Sequence, residues 1–290
     1  MAANKWIAGA RPRTLTAAIA PVFVGTSLRH IDHLHIDLIN AVLALFVSLA
    51  LQVGVNYAND YSDGIRGTDA VRVGPIRLVA SGAASAAAVK RAAVLTFASA
   101  AVAGLILCLR SSLWLIPVGV ISILAAWAYT GGDNPYGYQG FGELSVFMFF
   151  GAVATIGSYV VQSQKITWES LLVSIPVGAL ACAILAINNL RDLPKDALVN
   201  KRTLAVRLGD RNARILFVAL LVLAHVVAAL VAFITPSALA TLFLLPITVR
   251  ISRTVLRGAK GAQLIPLLGK VGALHLLLST TLAMALLAKG

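Results

Sequence analysis

Residues 38–64 read LINAVLALFVSLALQVGVNYANDYSDG. The first part is an almost uninterrupted apolar run, of the ~20-residue length that crosses a bilayer as a helix. It closes on Asn56, Asp60 and Asp63. These positions, i, i+4 and i+7, share one helical face. Carboxylates are costly to hold at the end of a membrane helix, so they point to function. Capping explains them poorly, because acids at a helix C-terminus oppose the macrodipole. The pattern returns in NNLRDLPKD, where Asn188, Asp192 and Asp196 close a second apolar run. Pro194 predicts that this helix ends or kinks, leaving Asp196 on a turn. Each Asn precedes its first Asp by four residues. Residues 1–290 therefore read as a single domain with a weak internal repeat, about 1–140 and 141–290.

Composition agrees with a chain immersed in lipid. It is 59% hydrophobic and 12% charged, against about 25% charged in soluble proteins, and its mean hydropathy is +0.88. Nine apolar stretches predict an all-α polytopic membrane protein with nine transmembrane helices, near 14–29, 38–59, 91–109, 113–130, 143–161, 168–190, 212–234, 237–256 and 266–287. MAANKWIAGARPRTL has no apolar core ahead of its basic residues, so no cleavable signal is expected. Cys108 and Cys182 lie in apolar stretches and read as buried small hydrophobes.

The net charge of +13 does not mark a nucleic-acid binder, because the charge is sorted along the chain. All of the 24 Lys and Arg except Arg29, Arg110, Lys165 and Lys289 fall in the N-terminus or near the ends of the second, sixth and eighth stretches. The positive-inside rule then predicts a cytoplasmic N-terminus in the plasma membrane. Most of the acids fall on the same side, where that rule does not sort them.

Oxygen ligands on these faces suit Mg²⁺, which keeps part of its coordination for water and phosphate. The expected metal ligands are Asn56, Asp60, Asp63, Asn188, Asp192 and Asp196. Arg66, Arg72 and Arg77 follow the first acidic group, and Lys195, Lys201 and Arg202 lie in or just after the second. Such cations hold diphosphate oxygens, Arg bidentately and Lys as a point charge. The segment YTGGDNPYGYQGFGE, residues 129–143, carries no Lys or Arg. Its glycines let backbone approach a ligand, and Tyr129, Tyr136 and Tyr138 offer faces for a cation or an aromatic ring.

The chain resembles the UbiA superfamily of intramembrane prenyltransferases. The resemblance rests on RPRTLTAAIAPVFVG, NDYSDGIRGTD, GPIRLVASG, GGDNPYGYQGFGE and NNLRDLPKDALVNKRTLAVRLG. Within it the chain is most similar to the branch that prenylates 1,4-dihydroxy-2-naphthoate for menaquinone. The resemblance implies nine helices around a central cavity open sideways to lipid. It also implies Mg²⁺-dependent transfer of a polyprenyl group from polyprenyl diphosphate, with loss of CO₂, at a site on the cytoplasmic side. Asp60, Asp63, Asp192 and Asp196 would be the catalytic acids. Arg13 is the expected partner of the acceptor's carboxylate. Another acceptor such as 4-hydroxybenzoate remains an alternative. Two other classes fit less well. Asp60, Asp63 and Gly64 imitate the opening of a CDP-alcohol phosphotransferase motif, but its Ala-Arg pair and closely following acids are missing. A cation-coupled transporter would place acids nearer the bilayer midplane.

Overall fold

The computed structural model describes residues 4–32, 35–67 and 77–289, and every regular element among them is helical. Arg72 lies outside the described residues. A short α1 (Lys5–Ala10) begins where the Asn4 side chain accepts from Trp6 N. A tight turn over Pro12–Thr14 leads into α2 (Thr16–Leu28). There follow α3 (Leu38–Ile65), capped by Asp37, and α4 (Ala86–Arg110), capped by Ser85. Next come α5 (Leu115–Ala128), α6 (Gly142–Ser163) and α7 (Trp168–Leu198). The chain continues through α8 (Leu204–Phe233), α9 (Pro236–Leu256) and α10 (Gly261–Leu287).

Seven of these, α3, α4 and α6–α10, are long and apolar enough to cross a bilayer. The helices inside the first and fourth apolar stretches, α2 and α5, have only 13 and 14 residues. Gly209 interrupts α8 with φ 74° and ψ 168°, a conformation open to glycine.

Pro194 does not end its helix. α7 runs on to Leu198, so Asn188, Asp192 and Asp196 keep one face at i, i+4 and i+8. Asp196 is thus helical rather than on a turn. Pro194 sits within the last turns, where it forfeits a single intrahelical N–H.

α7 is the central helix: 78% of its apolar window is buried, more than in any other span. It packs against α8, α6 and α10, while α3 pairs with α4 and α2 lies on α10 and α6. Lipid is as apolar as leucine, so close fit rather than water exclusion holds membrane helices together. Gly151 and Gly178 provide that fit between α6 and α7, since a Cβ on Gly151 would fall 2.6 Å from the Gly178 Cα.

The end of the bundle away from the acids is stitched by polar contacts. Arg110 Nε donates to Asn40 Oδ1 at 2.9 Å and Arg110 Nη2 to Asp37 at 3.2 Å. Gln162 exchanges two 2.9 Å hydrogen bonds with the Asp37 backbone. Asn40 donates to Val161 O at 2.9 Å. Asp32 takes Tyr159 OH at 2.7 Å and Lys165 Nζ at 2.9 Å. Near this belt, Val22, Ala44, Leu107 and Val161 form a buried apolar cluster.

Candidate active site

Helix periodicity puts Gln52, Asn56 and Asp60 on one face of α3, and the N-terminal turn closes over it. Asn56 Nδ2 donates to Ala10 O at 2.8 Å and to Thr14 Oγ1 at 3.2 Å. Gln52 Nε2 reaches Thr14 Oγ1 at 3.1 Å and Asn56 Oδ1 at 3.4 Å. Asn56 therefore anchors α3 to the turn ahead of α2.

Asp60 is fully buried. Its two oxygens accept the backbone N–H groups of Leu78 at 2.8 Å and Val79 at 3.0 Å, so the carboxylate holds the turn that follows the first acidic group. Asp63, also buried, accepts from Tyr138 OH. Arg77 lies 3.7 Å and Lys201 4.0 Å from its other oxygen. Tyr138 sits between two cations, with Lys201 Nζ 4.7 Å and the Arg66 guanidinium 5.5 Å from its ring centre. Arg66 itself donates to the carbonyls of Thr130 and Gly132, tying the end of α3 to the loop after α5.

On α7, Asp192 accepts two 2.7 Å hydrogen bonds from its neighbour Arg191. Asp196 is buried, and its carbonyl accepts from Lys201 N at 2.9 Å. Lys201 is therefore fastened by its backbone to the second acidic group, while its ammonium faces the first. Asn189 donates to Glu143 at 3.0 Å, linking α7 to the start of α6.

Between α3 and α7 lies a cavity of about 310 Å³. Asn56, Asn59, Asn188, Tyr129 and Tyr136 line it at the acidic end, with Arg11 and Thr14 of the N-terminal turn. The rest of the wall is almost wholly apolar, including Phe149, Phe150, Leu107 and Leu115. The rings of Tyr129 and Tyr136 meet edge to face at 5.5 Å, and Tyr136 OH is fixed at 2.9 Å from both Ala125 O and Ser145 Oγ. Gly137 is required here, because a Cβ would fall 2.6 Å from Tyr129 O.

The structure thus brings Asn56 and Asn188 to one cavity, and Asp63, Arg77, Tyr138 and Lys201 to one cluster beside it. Arg13 is not on the cavity wall. Its side chain is exposed and its carbonyl packs near Gly272. Arg202 is also exposed. Arg11, two residues earlier, lines the cavity and donates to Asn56 O at 3.4 Å. Sequence reasoning passed over Arg11, Thr14, Gln52 and Asn59. Gln52 was the most readable of these, being four residues before Asn56 on the same face.

Among the described residues, no three His, Cys, Asp or Glu side chains form a group that could hold a metal by themselves. The donors are nevertheless all oxygens, which suits Mg²⁺. A carboxylate oxygen that accepts one N–H keeps further lone-pair capacity.

The UbiA prenyltransferase family model matches residues 18–268. The chain belongs to that family. It is 49% identical over 282 residues to a 1,4-dihydroxy-2-naphthoate octaprenyltransferase of Mycobacterium tuberculosis, covering 97% of this chain and 96% of that one. An Escherichia coli protein of the same name is 38% identical, with 91% and 88% covered. A UbiA homolog from Archaeoglobus fulgidus, solved bound to DMAPP and Mg²⁺, has the same fold, with a TM-score of 0.69 over 98% of this chain and 99% of that one at 15% identity.

Proposed function

We propose that this UbiA-family protein transfers a polyprenyl group from polyprenyl diphosphate to 1,4-dihydroxy-2-naphthoate, releasing diphosphate and CO₂ and giving demethylmenaquinol. The observation that carries the reading is the cavity itself. It is apolar along its length, polar at one end, and flanked there by buried acids interleaved with Arg and Lys. A prenyl diphosphate has the same distribution of polarity. The acceptor's identity is drawn from the relatives' names and from their identity with this chain over nearly its whole length.

Asn56, Asp60, Asp63, Asn188, Asp192 and Asp196 are the residues that would hold Mg²⁺. When bound, the metal would neutralise the diphosphate and ease its departure. The charge pairs already present suit that role. Arg77 and Lys201 lie against Asp63 and Arg191 against Asp192. Each cation can turn to a phosphate oxygen when its acid turns to the metal. Fixed positive charge aimed at the leaving group stabilises the transition state as the C–O bond breaks. The electron-rich ring is held near Tyr129 and Tyr136, and its carboxyl-bearing carbon attacks the allylic carbon. Loss of CO₂ restores aromaticity. Arg11, on the wall, is better placed than Arg13 to pair with the acceptor's carboxylate.

In this reading the chain is one catalytic domain in the plasma membrane. α2 and α5 join the seven longer helices to make nine spans, with the N-terminus and the acidic end of the cavity cytoplasmic. The test is an assay of purified protein with octaprenyl diphosphate and competing aromatic acids, following product mass. Transfer to dihydroxynaphthoate, abolished by EDTA and restored by Mg²⁺, is expected. Preference for 4-hydroxybenzoate, or metal-independent transfer, would overturn the assignment.

A further inference from the structure

Glycines in membrane helices ordinarily let two backbones meet. Gly151, Gly178 and Gly25 do this here, for a Cβ on any of them would strike a neighbour at 3.0 Å or less. Three other glycines behave differently. Gly104 on α4, Gly119 on α5 and Gly157 on α6 all line the cavity. A Cβ on Gly119 or Gly157 would meet nothing within 4 Å, and one on Gly104 would meet only Val47 at 3.9 Å. None has a positive φ. Neither helix packing nor backbone conformation requires glycine at these positions, and glycine weakens a helix interior. What their missing side chains leave free is the cavity.

All three lie in the half of the cavity away from the acids. Gly119 is ten residues from Tyr129 along the same helical direction, about 15 Å at 1.5 Å per residue. Gly104 and Gly157 approach the opposite end of their helices, near Arg110 and Ser163. Val22, Ala44, Leu107 and Val161, a buried apolar cluster, line the cavity with them. α5 packs on α3 and α4, and α6 packs on α2, α3 and α7, so the three glycines come to one cavity from three different helices.

We infer that Gly104, Gly119 and Gly157 keep open the part of the cavity that receives the prenyl donor beyond its first few isoprenoid units, and that their lack of side chains sets how readily long donors are accepted. This rests on the proposed function, and it adds residues that determine specificity. A leucine at Gly119 or Gly157 would put an isobutyl group where the chain must pass. A short donor stops above it.

The experiment compares wild type with Gly119→Leu, Gly157→Leu and the milder Gly157→Ala. Gly269→Leu is the control, because Gly269 also has open space at its Cβ but lies outside the cavity wall. Binding and transfer are each measured with a ten-carbon and a forty-carbon prenyl diphosphate, and melting temperature reports folding. The leucine variants should lose about tenfold or more of kcat/KM for the long donor relative to the short one, a size usual for steric discrimination in an apolar pocket. Gly157→Ala should shift the ratio in the same direction by less, and Gly269→Leu should leave it unchanged. An unchanged ratio in the leucine variants, or an equal shift in the control, overturns the inference. Should the leucine variants fail to fold, an unchanged ratio in Gly157→Ala overturns it. If the variants discriminate donors in binding but no protein transfers a prenyl group, the role of the glycines stands and the proposed function falls.

Discussion

Replacing Asp60 by Asn tests whether the first acidic group serves chemistry as well as architecture. The carboxylate is fully buried and accepts N–H groups from Leu78 and Val79 at 2.8 and 3.0 Å. Hydrogen bonds to a charged group contribute about 1.5–3 kcal/mol each. An asparagine can accept from one of these donors but turns its own NH₂ toward the other. The expected loss is therefore about one such bond plus a buried unsatisfied donor, roughly 2.5–6 kcal/mol. At about 2 °C per kcal/mol for a chain of this size, melting in detergent should fall by several degrees. The rate should fall much further. Losing one fixed partner of a developing charge typically costs about 10²–10³ in kcat, and Asp60 is proposed to act on the diphosphate through Mg²⁺. The assay is diphosphate release from octaprenyl diphosphate in the presence of dihydroxynaphthoate, run well below the variant's melting temperature. That choice keeps instability from passing for lost chemistry. A variant that melts early yet turns over at the wild-type rate, with an unaltered Mg²⁺ response, would reduce Asp60 to a scaffold residue and refute the reasoning.

Three further outcomes are expected. Arg11→Ala should lower kcat/KM for the naphthoate about tenfold or more, the size of a lost hydrogen bond to a charged group, while Arg13→Ala should change it by less than about threefold; the reverse order would restore Arg13 as the acceptor's partner. Gly137→Ala sets a methyl 2.6 Å from Tyr129 O, and overpacking of this kind costs about 1–3 kcal/mol, so melting should fall and the KM for the acceptor should rise; no change in either would show that the loop gives way freely. Asp37 has its pKa lowered, first by the Asn40 N–H it caps and also by the Arg110 charge. A depressed carboxylate stabilises above its ordinary value of 3.8 and loses that contribution as pH falls through its folded pKa. Asp37→Ala should therefore cost about 1 kcal/mol as a lost helix cap near neutral pH and should weaken the acid dependence of melting, which differential scanning fluorimetry from pH 3 to 7 would report.

The helices were legible because lipid imposes a coarse rule, a long apolar run with its backbone paired internally. The acidic face of α3 followed directly from residue spacing. Pro194 misled, since in the last turns a proline forfeits only one intrahelical N–H and α7 runs on to Leu198. The partners of the acids were hidden for a different reason. Lys201 reaches Asp63 across 138 positions of chain, and Leu78 offers Asp60 a backbone N–H, which is the same in every residue but proline. Arg11 and Arg13 are equivalent in sequence. Only the left-handed turn at Arg11, with φ 53°, separates the one that faces the cavity from the one that faces out.

The belt of Arg110, Asp37, Asn40 and Gln162 ties α3, α4 and α6 together at the end of the bundle away from Asp60 and Asp63. Groups that satisfy one another in this way need no water where hydrocarbon surrounds them, so three helices far apart in sequence stay pinned without a hydrated joint.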